Sequence, residues 1–216
     1  MPLPFSAEQF LAVFAAYNLA VYPAQWLAYA LAVLAWVLAW GGGALAGRAC
    51  ALILAAFWLA SGLGYHWHFF APINPLARVF GVLFMIQAAG FAIWALWPGR
   101  GRGPGFGPRR DGRGWTGSVI IVYALALYPL LGWALGHPWP NQPLVGLTPC
   151  PTTIFTFGLL LLTRRPVPLI LLLIPVAWAL IGAFAAVSMG MGEDAVLAVA
   201  GVAACALLLP RAPSGP

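Results

Sequence analysis

The sequence contains no lysine and very few charged residues of any kind. Only 6% of its 216 residues are charged, whereas 63% are hydrophobic. A soluble domain has about a quarter of its residues charged, so this composition excludes a soluble domain. The absence of lysine also excludes a Walker A nucleotide-binding loop, a retinal Schiff base and a pyridoxal phosphate enzyme, because each of them needs a lysine side chain.

Acidic residues and cysteines are scarce as well. The acidic residues are Glu8, Asp111, Glu193 and Asp194, and the formal net charge is +6. This balance suits anionic lipid headgroups, while the arginines are too scattered to indicate a nucleic-acid surface. The cysteines are Cys50, Cys150 and Cys205. Because they are odd in number and far apart, they do not indicate a disulfide framework.

Long apolar runs separated by turn residues predict an all-α, polytopic membrane helix bundle that forms one domain over residues 1–216. A bilayer core about 30 Å thick is spanned by about 20 helical residues. The seven predicted spans are 24–40, 45–63, 76–97, 115–135, 144–163, 166–187 and 195–209. Ser6 and Gln9 match a capping box, which predicts a further helix over 7–21 that ends before Pro23. We expect that helix to lie in the membrane interface or to be tilted.

All arginines except Arg78 fall on one side of this arrangement. They are Arg48, the arginines of the segment 98–114, Arg164, Arg165 and Arg211. Since cytoplasmic loops carry the excess of arginine, the pattern predicts a plasma-membrane protein with its N-terminus outside and its C-terminus in the cytoplasm. The segment 98–114 is rich in glycine, proline and arginine, and is predicted to be a flexible, solvated loop.

A polar, proline-rich stretch over 136–153 interrupts the fifth span. Pro149 and Pro151 disfavour helix at the residues before them, so the helix is predicted to begin at Pro151 with Cys150 as its N-cap. Irregular backbone at that depth is tolerated only inside protein or beside a cavity. A thiol at a helix N-terminus favours the thiolate, which makes it a better metal ligand or redox group. The alternative is a rigid turn with an inert Cys150.

Further soft donors lie on the same predicted outer face as Cys150. They are His66, His68, His137, Met189 and Met191. Sulfur and imidazole together suit copper or another soft metal ion. His66 and His68 share one side only if their segment is extended. The alternatives are interfacial hydrogen bonding for the histidines and apolar packing for the methionines.

Polar residues of the outer half complete the candidate set. They are Arg78, Asn74, Thr152 and Thr153. A charge near the membrane edge indicates a function by default, and Glu8, Glu193 or Asp194 would be the partner of Arg78. The alternative is that Arg78 snorkels to the outer headgroups. Asn74 would add polar lining to a site within the bundle.

Several short motifs run through the chain. They are Tyr65-His66, Phe69-Phe70, Ile73-Asn74-Pro75, Tyr128 to Gly132 followed by Gly136-His137, Pro149 to Gly158, and Arg165 to Pro168. In these motifs the chain resembles an uncharacterised bacterial multispanning membrane-protein family, a domain of unknown function. His68, Met189 and Met191 fall outside the pattern. The resemblance implies a bundle in the bacterial inner membrane and brings no activity.

Three functions remain open. The first, which we favour, is a small transporter or permease with an outward-facing site at the broken span, handling a substrate such as a soft metal ion. The second is a non-catalytic subunit or assembly factor, because small residues over 41–46 and 182–186 allow close packing against other membrane subunits or a second copy. The third is a redox protein with haem between His66 and His137, for which no attachment motif is present. We expect no enzyme activity and no nucleotide or nucleic-acid partner.

Overall fold

The computed structural model describes residues 4–97 and 103–209, and these residues are helical or lie in loops. The eight helices are α1 (Ala7–Ala20), α2 (Ala24–Gly41), α3 (Ala44–Phe70), α4 (Ala77–Leu96), α5 (Gly112–Ala134), α6 (Pro149–Leu161), α7 (Ile170–Met189) and α8 (Ala195–Leu208). Within the described ranges the only bridge between extended segments joins Phe106 to Thr163. The prediction of an all-α fold is confirmed.

Helices α2, α3, α4 and α5 are long and apolar enough to cross a membrane. Helices α6 and α8 contain 13 and 14 residues. At about 1.5 Å per residue they measure roughly 20 Å, less than the ~30 Å of a bilayer core. The fold therefore supports four crossings by length and composition, and the other three predicted spans stay a prediction.

The start of the bundle follows the sequence signals. Ser6 Oγ accepts a hydrogen bond from the Gln9 backbone N–H at 3.2 Å, and Gln9 Oε1 accepts from the Ser6 N–H at 2.9 Å. This reciprocal pair is the predicted capping box. The chain then breaks before Pro23, as predicted, and α2 begins at Ala24.

Helix α6 forms the centre of the bundle. Every residue of α6 except Cys150 is buried. Gly117 of α5 and Gly158 of α6 let the two backbones touch, because a Cβ at Gly117 would lie 2.7 Å from the Gly158 carbonyl oxygen. Trp58 of α3 donates to Thr156 Oγ1 at 3.0 Å from another side. A helix that is apolar on all faces is buried on all faces, which is the position α6 takes.

One end of the bundle, the arginine end, joins the turn at Gly42, the segment 103–111 and the connection 162–169. Arg109 Nη1 donates to the Thr163 carbonyl at 2.8 Å, and a Cβ at Gly42 would lie 3.1 Å from the Cα of Gly107. Residues 103–111 form a loop whose Phe106 packs into the core and pairs with Thr163, and the flexibility predicted for 98–114 stays a prediction. Residues 98–102, and with them Arg100 and Arg102, lie outside the described residues, as does Arg211.

The opposite end, the histidine end, contains α1, the last turns of α3, the segment 135–148 and the turn 190–194. Here α3 does not stop near residue 63 as predicted. It continues to Phe70 as a π-helix over Ala60–Phe70. The connection between the second and third predicted spans, residues 64–75, is therefore helical in its first half. Asn18 of α1 donates to the carbonyls of Pro140 and Gln142, both at 2.8 Å, and so fixes the long segment against α1.

Candidate functional site

A cavity of about 180 Å³ lies at the histidine end, enclosed by α1, α3, α4, α6, α7 and the turn 190–194. We call it the Cys150 cavity. Most of its wall is aromatic or aliphatic, and the residues with polar or sulfur atoms include His66, Asn74, Cys150, Met189, Met191 and Asp194. All of these except Asp194 are candidates from the sequence. Their predicted location on one face is therefore matched by a shared cavity.

The π-helical end of α3 buries His66 completely. Neither ring nitrogen of His66 has a hydrogen-bond partner among the described residues. The ring packs edge-on against Phe84 and Trp178, with centroid distances of 4.8 and 5.0 Å. A buried polar group without a partner costs about 1–3 kcal/mol, so an imidazole in this state is a candidate for binding something else. π-helical segments are frequent at functional sites.

His68 does not join His66. The extended segment that a joint site requires is absent, and in the π-helix His68 is exposed while His66 is buried. Residues two apart on a helix point to different sides. The proposed His66–His68 metal pair is therefore wrong.

Cys150 is the second residue of α6, and the prediction that it caps the helix is wrong. The helix begins at Pro149, and Thr148 is the N-cap with extended backbone at φ −118° and ψ 155°. The thiol lies beside Gly182 of α7, where a Cβ would be 3.6 Å from Cys150 Sγ and 3.6 Å from Trp178 Nε1. The N-terminal, positive end of the α6 dipole therefore borders the cavity, since both Pro149 and Cys150 line it.

Two carboxylates are buried in the turn after α7. His137 Nδ1 lies 2.9 Å from Glu193 Oε1, and the Tyr128 hydroxyl donates to Asp194 Oδ1 at 2.6 Å. The Tyr123 hydroxyl donates to the Glu193 carbonyl at 2.7 Å. Burial raises the pKa of Asp194 to about 7, helped by the nearby Glu193 charge and opposed by the hydrogen bond from Tyr128. Asp194 therefore exchanges its proton near neutral pH.

His137 belongs to this acidic pair and does not line the Cys150 cavity. The sequence predicts His137 on the same face as Cys150. In the structure His137 pairs with Glu193, and the neighbouring Asp194 lines the cavity together with Cys150. A haem shared by His66 and His137 gains no support from the Cys150 cavity, which His66 lines and His137 does not.

The two threonines hold the backbone around the start of α6. Thr152 Oγ1 accepts from the Gly146 N–H at 2.9 Å, and Thr153 Oγ1 donates to the Pro149 carbonyl at 2.8 Å. Both side chains are fully buried. They hold the backbone beside the site, and the hydroxyl hydrogen of Thr153 is used by the Pro149 carbonyl.

Asn74 and Arg78 differ in their relation to the site. Asn74 lines the cavity, and its Oδ1 accepts from the Leu76 N–H at 3.2 Å. Arg78 is exposed, and no ion pair found among the described residues includes it. The partnership expected for Arg78 is therefore absent, since Glu193 pairs with His137 instead.

Within residues 4–97 and 103–209, no group of three or more His, Cys, Asp and Glu side chains is close enough to hold a metal ion. The soft donors around the Cys150 cavity are Cys150, His66, Met189 and Met191. A soft metal ion would therefore need thioether sulfur from at least one methionine in addition to the thiol or imidazole.

Two polar groups of the cavity belong to residues that are not among the candidates from the sequence. The Tyr65 hydroxyl and the Trp178 indole N–H are buried without a hydrogen-bond partner, and both residues line the cavity. Tyr65 stands in one of the motifs named above. Trp178 lies in none of these motifs, and a tryptophan in a long apolar run is expected to be an ordinary core residue.

Comparison with protein families matches residues 7–214 to a family of unknown function, DUF6064. Because the match covers nearly the whole chain, the protein belongs to this family. Neither a curated protein nor a solved structure matches it. The predicted membership of a family of unknown function is confirmed, while the bacterial origin and the special status of the Pro149 to Gly158 run stay predictions.

Proposed function

We propose that this protein is a small membrane permease that binds its substrate in the Cys150 cavity. The observation that carries the proposal is the start of α6 inside the bundle, beside a cavity with buried polar atoms that have no partner. Half-helices of this kind border substrate sites in transporters. Irregular backbone such as the segment before Pro149 is tolerated at membrane depth only inside protein or beside a cavity.

The permease lies in the plasma membrane with α2 to α8 as its seven crossings and α1 in the outer interface. Arg109, Arg113, Arg164 and Arg165 gather at the arginine end, which this arrangement places in the cytoplasm. The histidine end and its cavity then face outward.

The lining favours a small organic solute with an apolar body and a polar head. Aromatic and aliphatic side chains form most of the wall. The Tyr65 hydroxyl and the Trp178 N–H offer donors, and the His66 nitrogens offer a donor and an acceptor. Few, fixed polar groups in an apolar wall are the usual composition of a small-molecule site.

Proton coupling has candidates in the buried pair Glu193 and Asp194. Asp194 borders the cavity, and its pKa of about 7 lets it gain or lose a proton in the physiological range. Ionisable residues of this kind in membrane proteins typically mark proton relays.

A soft metal ion is the second candidate substrate, because four soft donors line the same cavity. Inductively coupled plasma analysis of the detergent-purified protein after loading with Cu(I) tests it. Stoichiometric copper that is lost in Cys150→Ser and in a Met189→Leu, Met191→Leu double variant would support metal transport. His68→Ala is the control and should keep the metal. Absence of copper in the wild type would eliminate this substrate and leave the organic solute.

The experiment for the permease itself needs no substrate. A charged methanethiosulfonate reagent is applied to right-side-out and to inside-out membrane vesicles, in a Cys50→Ala, Cys205→Ala background. A permease with alternating access exposes Cys150 to the reagent from both faces. The rate of Cys150 labelling should then differ between the protein with native Asp194 and the Asp194→Asn variant. A non-catalytic subunit, the main alternative, leaves Cys150 unlabelled from both faces.

A further inference from the structure

A second cavity lies at the other end of the bundle, between α4 and α7. Its volume is about 800 Å³, inside the range of roughly 300–1,000 Å³ that ligand sites occupy. The wall is apolar along its length and includes Ile86, Ala89, Ile93, Ile170 and Ile174. It shares no residue with the Cys150 cavity. We call it the α4–α7 groove.

Large apolar side chains of the α4–α7 groove are exposed. Ile86, Ile93 and Ile170 are 55%, 57% and 71% exposed. The buried Gln87 is already committed, since its Nε2 donates to the Leu171 carbonyl at 2.9 Å. The groove is therefore long and apolar, and the side-chain amide of Gln87 in its helical wall already has a hydrogen-bond partner. An acyl chain meets these requirements, because it needs apolar contact and no hydrogen bond.

Arg165 closes the arginine end of the groove together with Trp97. Its aliphatic stem lies over Gly105, where a Cβ would be 2.6 Å from Arg165 Cδ. The Arg165 side chain is exposed and makes no hydrogen bond to the described residues, whereas neighbouring Arg164 donates to the Pro108 carbonyl at 3.0 Å. A guanidinium and an interfacial tryptophan at the end of an apolar groove match a phosphate headgroup above an acyl chain.

We propose that the α4–α7 groove binds an anionic phospholipid, with one acyl chain along α4 and α7 and its phosphate paired with Arg165. The inference rests on the membrane location proposed above, with the arginine end in the leaflet rich in anionic lipid. It does not depend on transport through the Cys150 cavity.

The test is native mass spectrometry of the full chain in detergent, titrated with phosphatidylglycerol or with phosphatidylcholine of the same acyl chains. Wild-type protein should bind phosphatidylglycerol more tightly. Arg165→Gln should weaken that binding about five-fold, which corresponds to ~1 kcal/mol per basic residue at an anionic surface. Ala89→Trp, which fills the groove, should weaken both lipids.

Two matched controls make the result specific. Arg110→Gln removes the same charge from an exposed position on the same end, and Val82→Trp adds the same ring to an exposed position of α4 outside the groove. Both should bind lipid as the wild type does, and Arg165→Gln carries the test if Ala89→Trp does not fold. Equal affinity for the two lipids, or equal losses in Arg165→Gln and Arg110→Gln, would overturn the inference. Recovery of the protein outside the membrane fraction would instead remove the location on which it rests.

Discussion

The arginine end and the histidine end differ in whether their buried polar groups have hydrogen-bond partners. At the arginine end, Arg109 donates to the Thr163 carbonyl and Arg113 Nη2 donates to Thr163 Oγ1, both at 2.8 Å. Two buried nitrogens near this end lack a partner, Arg113 Nε and, in the second half of α2, Trp36 Nε1. At the histidine end the Tyr65, His66 and Trp178 groups around one cavity all lack partners. Because each such group costs about 1–3 kcal/mol, their concentration at one cavity points to a ligand that supplies the missing bonds.

This difference indicates that the arginine end contributes mainly to stability and that the histidine end contains the binding site. The arginine end packs glycine against backbone and holds its loops with arginine side chains, and its groove is lined mainly by apolar side chains of α4 and α7. The histidine end keeps space beside Cys150 by placing Gly182 opposite the thiol. Substitutions should therefore have opposite effects at the two ends, and the following predictions run from the largest effect to the smallest.

The largest effect is expected at Gly114, in the first turn of α5. A Cβ there would collide with the Arg109 carbonyl oxygen, which belongs to the backbone, so Gly114→Val should prevent recovery of folded protein. Gly112→Val is the control, because a Cβ at Gly112 meets no atom within 4 Å. The measurement is the yield of monodisperse protein after size-exclusion chromatography. Equal yields for the two variants would contradict the close packing described here.

The second prediction concerns pH and Asp194. Its folded-state pKa of about 7 exceeds the ordinary value of 3.8, so the folded state binds more protons between these values and stability falls as pH rises through about 7. Asp194→Asn should remove this slope and be more stable than the wild type at pH 8, by at most about 4 kcal/mol. Thermal unfolding in detergent at pH 5 and pH 8 measures it. Glu8→Gln, at an exposed carboxylate, should keep the wild-type slope; a slope retained by Asp194→Asn would assign the titration to another group.

Removal of a satisfied polar group should destabilise the arginine end. Thr163→Val deletes the hydroxyl, whose oxygen accepts from Arg113 and whose O–H donates to the Leu160 carbonyl at 2.8 Å. The loss leaves the half-buried Arg113 guanidinium without this partner, so we expect a cost of ~1 kcal/mol. Thermal unfolding at pH 7 gives the value, with Thr163→Ser as the variant that keeps the hydroxyl and should stay near the wild type.

Removal of an unsatisfied polar group should stabilise the histidine end. His66→Phe keeps a ring between Phe84 and Trp178 and removes two buried nitrogens without partners, so we expect a gain of about 1 kcal/mol. The same unfolding measurement applies. A loss as large as that of Thr163→Val would show that His66 is satisfied in the protein and would erase the contrast between the two ends.

Much of the fold follows from local signals in the sequence. The capping box at Ser6 and Gln9 and the break at Pro23 depend on residues within one turn, so they can be read directly. The shared cavity of Cys150, His66 and the methionines also follows, because alternation of the predicted spans puts their segments at one end. The seven crossings do not follow to the same degree, since α6 covers only part of its predicted span 144–163, and α8, although it matches its predicted span, has only 14 residues.

The remainder depends on contacts between distant segments. The helical path of α3 up to Phe70 is accompanied by close packing against α4, where a Cβ at Gly62 would lie 2.9 Å from the Gly81 carbonyl oxygen. The packing of residues 103–111 comes from Thr163 and its neighbours, whereas their composition alone is typical of a flexible linker. The partner of Asp194 is Tyr128, 66 positions away, and no pattern in the sequence joins the two.

The most direct measurement compares two native thiols in one sample. Purified wild-type protein is treated with N-ethylmaleimide, a small neutral reagent, and the modification of each cysteine is followed by peptide mass spectrometry. Cys50 is fully buried and donates its thiol hydrogen to the Ala35 carbonyl, with a sulfur–oxygen distance of 3.2 Å, whereas Cys150 lines the cavity. If the histidine end is a binding site, Cys150 should react faster than Cys50, because the reagent can reach it through the cavity. Equal protection of both thiols would contradict an accessible cavity at Cys150 and leave that residue as part of the core.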